Sequence, residues 1–323
     1  MTDALADAPP RLDPSKFRDP LRTAKGEERA QVALKALETL WFNTGTLCNL
    51  TCQNCYIESS PTNDRLAYLT VAEVARYLDE IAVLGLGTRL IGFTGGEPFM
   101  NRDLPAMLED VLSRGLDAIV LTNAMTPMHH KKRVMLALRE RYGAQLDERL
   151  TLRVSLDHYG AAVHELERGK NSWAPALDGL KWLAQNGFSV NVASRYLSGE
   201  PEAAIRDGFR RLFSDLAIPL DAGDPVALTI FPEMDPTVDV PEITAACWGI
   251  LDKSPDSVMC ATSRMVVKHK GAASPSVMAC TLLPYDPLWD LGPSIAGANR
   301  SVPLNHPHCA KFCVLGGAAC SRG

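Results

Sequence analysis

The sequence predicts an α/β protein: a partial (β/α)6 TIM-like barrel followed by a small cysteine-rich module. Three observations carry this expectation. Between residues 36 and 235, six short segments rich in Val, Ile, Leu or Phe alternate with segments of helical periodicity. Such alternation builds βα units on a parallel sheet, whose chemistry collects at the C-terminal ends of the strands. Of the nine cysteines, three stand at 48 to 55, none falls between 56 and 246, and six follow, so two separate thiol clusters are expected. From residue 236 onward, Pro, Gly and Cys accumulate and helical periodicity fades.

The elements follow in order. Residues 1–35 hold several prolines and no apolar core of a signal peptide, so they read as an irregular lead-in. The predicted strands are TLWFNTG, RLIGFTGG, DAIVLTN, LTLRVSLD, FSVNVASRY and PVALTIF, each bounded by turn residues. In TVAEVARYLDEIAVLG, residues 70–85, Val71, Val74, Leu78 and Ile81 share one helical face. Thr70 and Glu73 make a capping box, and Gly85 is a C-terminal stop. SWAPALDGLKWLAQNG, residues 172–187, repeats the pattern, with Ser172 as N-cap, Pro175 in the first turn and Asn186-Gly187 at the end. The domains are expected at 36–235 and 236–323.

Composition narrows the function. A formal net charge of -5 makes nucleic acid or an anionic membrane surface an unexpected partner. No run of 18 apolar residues implies a membrane span, so a cytoplasmic protein is expected. An odd number of cysteines without a sign of export argues against full pairing into disulfides. Polar residues fall at the predicted strand ends independently of the cysteines: Thr94 with Gly95, Asn123, Ser155 with Asp157, Arg195, and Glu233.

CNLTCQNCY, residues 48–56, places Cys48, Cys52 and Cys55 directly after the first strand. A zinc site normally takes four ligands in two close pairs, and no fourth Cys or His lies near in sequence. A thioredoxin-like pair would use Cys52 and Cys55 and leave Cys48 idle. Three unrelated buried cysteines are a poor account of three in eight positions. An iron–sulfur cluster can be held by three thiolates of one loop, leaving one iron open to a substrate or cofactor.

CNLTCQNC resembles the CxxxCxxC signature of radical S-adenosylmethionine (radical SAM) enzymes, and FTGGEP, residues 93–98, resembles their GGEP motif. The two occur in the family's order at the first two strands, and LTNAM, RVSLDH and RGKNSW extend the similarity through the proposed barrel. An aromatic residue is common just before the family's third cysteine; here Asn54 stands there and Tyr56 follows it. The resemblance implies a [4Fe–4S] cluster on Cys48, Cys52 and Cys55, with S-adenosylmethionine (SAM) chelated at the open iron. It implies reductive cleavage of SAM to a 5′-deoxyadenosyl radical that takes hydrogen from a substrate. Carried over by position, Gly95, Gly96 and Glu97 line the site for the SAM amino group, the glycines because backbone approaches the ligand. Asn123, Ser155 and Arg195 become candidates for ribose and carboxylate contacts, against the bland reading of polar strand ends facing water, and Tyr56 joins the cofactor-binding set.

The later cysteines form a second pattern. Cys260 and Cys280 bracket a predicted hairpin, RMVVK, a turn at Lys270-Gly271, then SVMAC, and Cys309 and Cys313 follow in HPHCAKFC. This resembles the auxiliary-cluster module of SPASM and shorter twitch enzymes, which implies a second [4Fe–4S] cluster on Cys260, Cys280, Cys309 and Cys313, with Cys320 in reserve. Structural zinc is the rival, because His306 and His308 adjoin Cys309. Cys247 reads as a small buried hydrophobe. The basic stretch HHKKR, residues 129–133, reads as a solvated helix face, with docking of an acidic reductase as its functional alternative.

Relatives with auxiliary clusters act on peptides or on small molecules. Some 35 residues before the barrel are too few for a leader-peptide domain with its own core, which favours a small-molecule substrate over a peptide-modifying role. An electron donor such as flavodoxin or ferredoxin is implied. The non-catalytic alternative, an iron–sulfur carrier or scaffold, has no use for a GGEP segment.

Overall fold

All six predicted strands form, and they lie side by side. The computed structural model describes residues 10–233 and 235–318. After a two-residue strand β1 (Gln31–Val32), β2 (Thr39–Asn43) starts the barrel, with all five residues buried. Helix α1 (Val71–Leu84) leads to β3 (Leu90–Thr94), and α2 (Leu104–Ser113) leads to β4 (Asp117–Thr122). Helices α3 (Thr126–His129), α4 (Lys132–Tyr142) and α5 (Gln145–Arg149) precede β5 (Leu150–Ser155). Helices α6 (Ala161–Arg168) and α7 (Trp173–Gln185) precede β6 (Ser189–Arg195), and α8 (Glu202–Asp215) precedes β7 (Leu228–Phe231). From β2 to β7 every neighbouring pair is parallel. Parallel strands need crossovers, so the C-terminal ends of all six gather on one edge. Among the described residues, no helix is long and apolar enough to cross a membrane.

The expected helix signals hold with one exception. Thr70 and Glu73 form the reciprocal capping box, and Gly85 ends α1 at φ +61°. Ser172 stands at the N-cap position of α7 but does not cap it. Its backbone is already helical, and its hydroxyl donates to the Gly169 carbonyl at 2.7 Å, closing the preceding turn instead. Gly179 sits inside α7 because a Cβ there would lie 1.8 Å from the Ala124 carbonyl oxygen. Close approach of the helix to the segment after β4 thus outweighs the helix propensity glycine gives up.

The C-terminal segment contains α9 (Cys247–Ile250), β8 (Ser263–Val267), β9 (Ser276–Met278) and β10 (Val302–Pro303). The expected hairpin is present, Met265 opposite Met278, with Gly271 at φ +80° in its turn. It does not stand alone. β8 pairs in parallel with β2, Thr39 opposite Ser263, so the sheet runs through eight strands in the order β7-β6-β5-β4-β3-β2-β8-β9. The lead-in is tied to the same segment: β1 pairs with β10, and buried Arg29 makes an ion pair with Glu242. Cys309–Leu315 forms a π-helix, a wider turn that the composition of this region did not lead us to expect. Cys320 lies outside the described residues.

Candidate active site and second cysteine cluster

Three loops meet above the strand ends. The segment after β2 is laced to the turn after β3: Thr44 N donates to Thr94 O at 2.8 Å, Gly96 N to Gly45 O at 2.8 Å, and Glu97 N to Leu47 O at 3.2 Å. The cysteine loop grows from that lacing. Cys48 N donates to Ser60 O at 3.0 Å, closing the loop at its base, and Cys55 N donates to Cys52 O at 3.4 Å, making the tight turn between those two. Backbone amides approach two of the sulfurs, Leu50 N to Cys48 Sγ at 3.4 Å and Ser59 N to Cys55 Sγ at 3.3 Å.

All three cysteines line one open cleft with about 1100 Å³ of empty space. Gly95, Gly96, Asn123, Ser155, Arg195 and Tyr56 line it too, so the structure brings together nearly every residue expected from the sequence. Glu97 is the exception. It lies beneath the lining, buried, with its carboxylate accepting from Phe99 N at 3.1 Å, Thr122 Oγ1 at 2.8 Å and Asn123 N at 2.8 Å. It ties the end of β3 to the end of β4, and burial pushes its pKa up to about 7 against those three hydrogen bonds. Glu233, at the end of the row of polar residues, is exposed and outside the lining.

The glycines have a nearer reason than a ligand. A Cβ on Gly96 would lie 2.2 Å from the Leu47 carbonyl oxygen, and one on Gly95, at φ +138°, 2.5 Å from the Gly45 carbonyl oxygen. The cysteine loop itself occupies the space that side chains would need.

Two lining residues, Glu167 and Arg168 at the end of α6, were not singled out in the sequence. With Arg195 and with Asp157, expected at the end of β5, they form two largely buried ion pairs: Arg168 with Asp157 at 2.7 Å, and Arg195 with Glu167 at 2.8 Å. Glu167 also grips the Cys52–Cys55 turn. Its carbonyl accepts from Gln53 N at 2.8 Å, and its carboxylate from Asn54 N at 2.9 Å and Asn54 Nδ2 at 2.7 Å. Arg195 completes the grip by donating to Asn54 O at 3.3 Å. Asn54 therefore serves the turn where an aromatic residue was noted as usual. Asn123 donates to Asn49 Oδ1 at 2.9 Å and lies 4.0 Å from Cys48 Sγ.

The donor set fits a cluster with an open iron. Cys48, Cys52 and Cys55 are the only Cys or His among the described residues lining the cleft. Burial pushes the Cys48 thiol up to about 12 and the Cys52 thiol up to about 11, with Arg168 pulling the latter down. Binding irons must therefore displace protons from these sulfurs.

A second, smaller cavity is lined by all four later cysteines expected as ligands: Cys260, Cys280, Cys309 and Cys313. Its remaining walls are Met259, Leu282, Leu283, Trp289, Leu304 and His308, a largely apolar shell. The hairpin delivers Cys260 and Cys280, and the π-helix sets Cys309 and Cys313 near one turn apart. Leu282 N donates to Cys280 Sγ at 3.4 Å. His306 is not in the lining, and among the described residues no group of three or more His, Cys, Asp or Glu is arranged to hold a single metal ion. Cys247 is half-buried rather than buried and lies outside this cavity, accepting from Thr244 N at 3.4 Å. Leu282 lines both cavities, and Phe312, stacked on Phe231 with centroids 5.5 Å apart, faces the open cleft. Tyr285 ties the two regions together by donating to Ile57 O at 2.8 Å. In the basic stretch 129–133, His130 and Arg133 are exposed, while the Lys132 ammonium lies 4.9 Å from the Trp182 ring centre.

Comparison with known proteins gives a consistent picture. A sequence profile of the Radical SAM superfamily matches residues 42–210. A GTP 3′,8-cyclase of Tolumonas auensis is 33% identical over 143 residues, 44% of this chain and 39% of that protein. The antilisterial bacteriocin subtilosin biosynthesis protein AlbA of Bacillus subtilis is 31% identical over 147 residues, 45% of this chain and 30% of that protein. The chain thus spans less than half the length of these two relatives. Among solved structures, Streptococcus suis SuiB bound to S-adenosylmethionine superposes with a TM-score of 0.57 at 12% identity, over 80% of this chain and 63% of that one. Native anSMEcpe with bound AdoMet gives 0.54 at 14% identity, over 80% and 79%. At such identities the likeness is one of fold.

Proposed function

The chain belongs to the radical SAM superfamily, and from that premise we propose that it is an enzyme that cleaves SAM reductively and abstracts hydrogen from a small-molecule substrate. One observation carries the reading: the three cysteines of one loop and the Gly95-Gly96 turn line a single cleft at the C-terminal edge of the sheet. A [4Fe–4S] cluster bound there with SAM would, on passing one electron to the sulfonium, yield methionine and a 5′-deoxyadenosyl radical as the hydrogen-abstracting agent.

The chain's own residues prepare that chemistry. Cys48, Cys52 and Cys55 would hold the cluster and leave one iron for SAM. The backbone of Gly95 and Gly96 lines the cleft and would meet the SAM amino group there, and Asn123, Ser155 and Tyr56 offer polar atoms for its ribose and base. Arg168 adds positive charge beside the thiols. Arg195 is divided between the turn at Asn54 and the cleft. Leu282, Phe231 and Phe312 close the far side with apolar surface and keep water from a radical. Cys260, Cys280, Cys309 and Cys313 would hold the auxiliary [4Fe–4S] cluster, and four thiols around an apolar cavity support full ligation there. We place this reaction in the cytoplasm, with the electron coming from a flavodoxin or ferredoxin that meets the exposed His130 and Arg133 of the basic stretch.

A peptide substrate is the second reading, motivated by SuiB, which was solved bound to the precursor peptide SuiA, and by the bacteriocin biosynthesis protein AlbA. The same experiment decides both. Candidate small molecules and peptides carrying deuterium are incubated with reduced enzyme and SAM, and 5′-deoxyadenosine is weighed by mass spectrometry. Deuterium arriving from a small molecule supports the first reading. Deuterium arriving only from peptides replaces it with the second.

A further inference from the structure

Two buried arginines of this protein are treated differently. Arg29 faces Glu242, as the half-buried Arg168 and Arg195 face Asp157 and Glu167. Arg264, on β8, is as buried as Arg29 but meets no carboxylate among the described residues. Its guanidinium donates only to backbone carbonyls: Cys260 O at 2.6 Å, Ser263 O at 2.9 Å, Arg300 O at 3.1 Å and Ala298 O at 3.2 Å. Carbonyl dipoles satisfy its hydrogen bonds but supply no net negative charge. A buried charge without a counter-charge is unfavourable, so its retention calls for an anion nearby.

We propose that Arg264 is the counter-charge of the C-terminal iron–sulfur cluster and sets that cluster's reduction potential. The inference rests on the reading of Cys260, Cys280, Cys309 and Cys313 as ligands. Arg264 sits one turn of chain after Cys260 and bonds that cysteine's own carbonyl, at the base of the hairpin that carries Cys260 and Cys280. A four-thiolate [4Fe–4S] cluster carries net negative charge, which grows by one on reduction. A fixed cation close by stabilises the reduced form more than the oxidised form, and so raises the potential. Arg264 is thus a positioning and electrostatic residue; it touches neither SAM nor substrate.

The test uses the full-length holoprotein and the paramagnetic signal that does not respond to SAM, titrated against potential. Arg264→Gln keeps amide donors for the carbonyls and removes the charge. Arg264→Lys keeps the charge and removes the fork. We expect the midpoint to move to more negative potential in Arg264→Gln and to stay near the wild-type value in Arg264→Lys. Should Arg264→Gln lose the second cluster altogether, retention of that cluster by Arg264→Lys supports the charge role, and loss from both variants overturns it. Equal midpoints in the wild type and Arg264→Gln, or equal shifts in the two variants, also overturn it. Absence of a SAM-insensitive cluster from the wild type is a different result, and refutes the ligand assignment on which the inference stands.

Discussion

The carbonyl oxygen of Leu47 lies 2.2 Å from the point where a side chain on Gly96 would begin. The glycine of the turn after β3 and the residue before Cys48 are therefore packed backbone to backbone, and the first cluster's loop rests on that contact. Gly96→Val forces the loop away and disturbs Cys48 before it disturbs any ligand. We expect iron in the reconstituted protein to fall from about eight to about four per chain, with SAM affinity falling alongside. Iron analysis and equilibrium binding check this. Full iron with weak SAM binding would return Gly96 to a role of ligand clearance alone.

Glu167 holds the turn between Cys52 and Cys55 and is itself held by Arg195. Glu167→Ala removes three acceptor contacts and leaves Arg195 without its carboxylate. Breaking one partner out of a buried pair costs about 3–5 kcal/mol. The first cluster of this variant should lose iron to a chelator several-fold faster than the wild type, while the second keeps its own rate. Unchanged release would remove Glu167 from the support of the loop.

Gly179 lies in the middle of α7, where Ala is ordinarily the better helix former by about 1 kcal/mol. Here the added methyl meets the Ala124 carbonyl. Gly179→Ala should destabilise the fold by about 1–3 kcal/mol, the usual cost of overpacking. Chemical denaturation measures it, and a stabilised variant would contradict the packing.

Cys280→Ala separates the two clusters by role. It removes one of the thiols lining the second cavity and none from the open cleft. The variant should lose about four irons and still form 5′-deoxyadenosine from SAM. Retained turnover of substrate would make the second cluster a structural staple, and hydrogen abstraction without finished product would make it an electron carrier. Loss of 5′-deoxyadenosine formation in a folded variant would contradict the separation.

The local part of this structure was legible in the sequence. Strands with β-branched character, the Thr70–Glu73 box and the Lys270-Gly271 turn depend on neighbours a few residues apart. Both cysteine sets met around common cavities because their spacing constrains a loop and a hairpin. What sequence reading missed was long-range. Glu167 and Arg168 look like ordinary charges on α6 until the fold sets them against Arg195 and Asp157. β8 was legible as a strand, but nothing in RMVVK says that it pairs with β2. Ser172 has the right type for a cap, yet its hydroxyl closes another turn. The glycines after β3 line the cleft as expected, but sequence could not show that a loop of the same chain packs where their side chains would stand.

The central claim is that SAM is cleaved at the cluster held by Cys48, Cys52 and Cys55. The direct measurement is 5′-deoxyadenosine and methionine formed by the dithionite-reduced protein, with paramagnetic resonance recorded before and after SAM is added. The wild type should form both products and show one cluster signal that shifts with SAM. The Cys48→Ala, Cys52→Ala, Cys55→Ala triple variant should form neither and keep a signal that SAM leaves unmoved. Product formation or a SAM-dependent signal surviving in that triple variant would contradict the account.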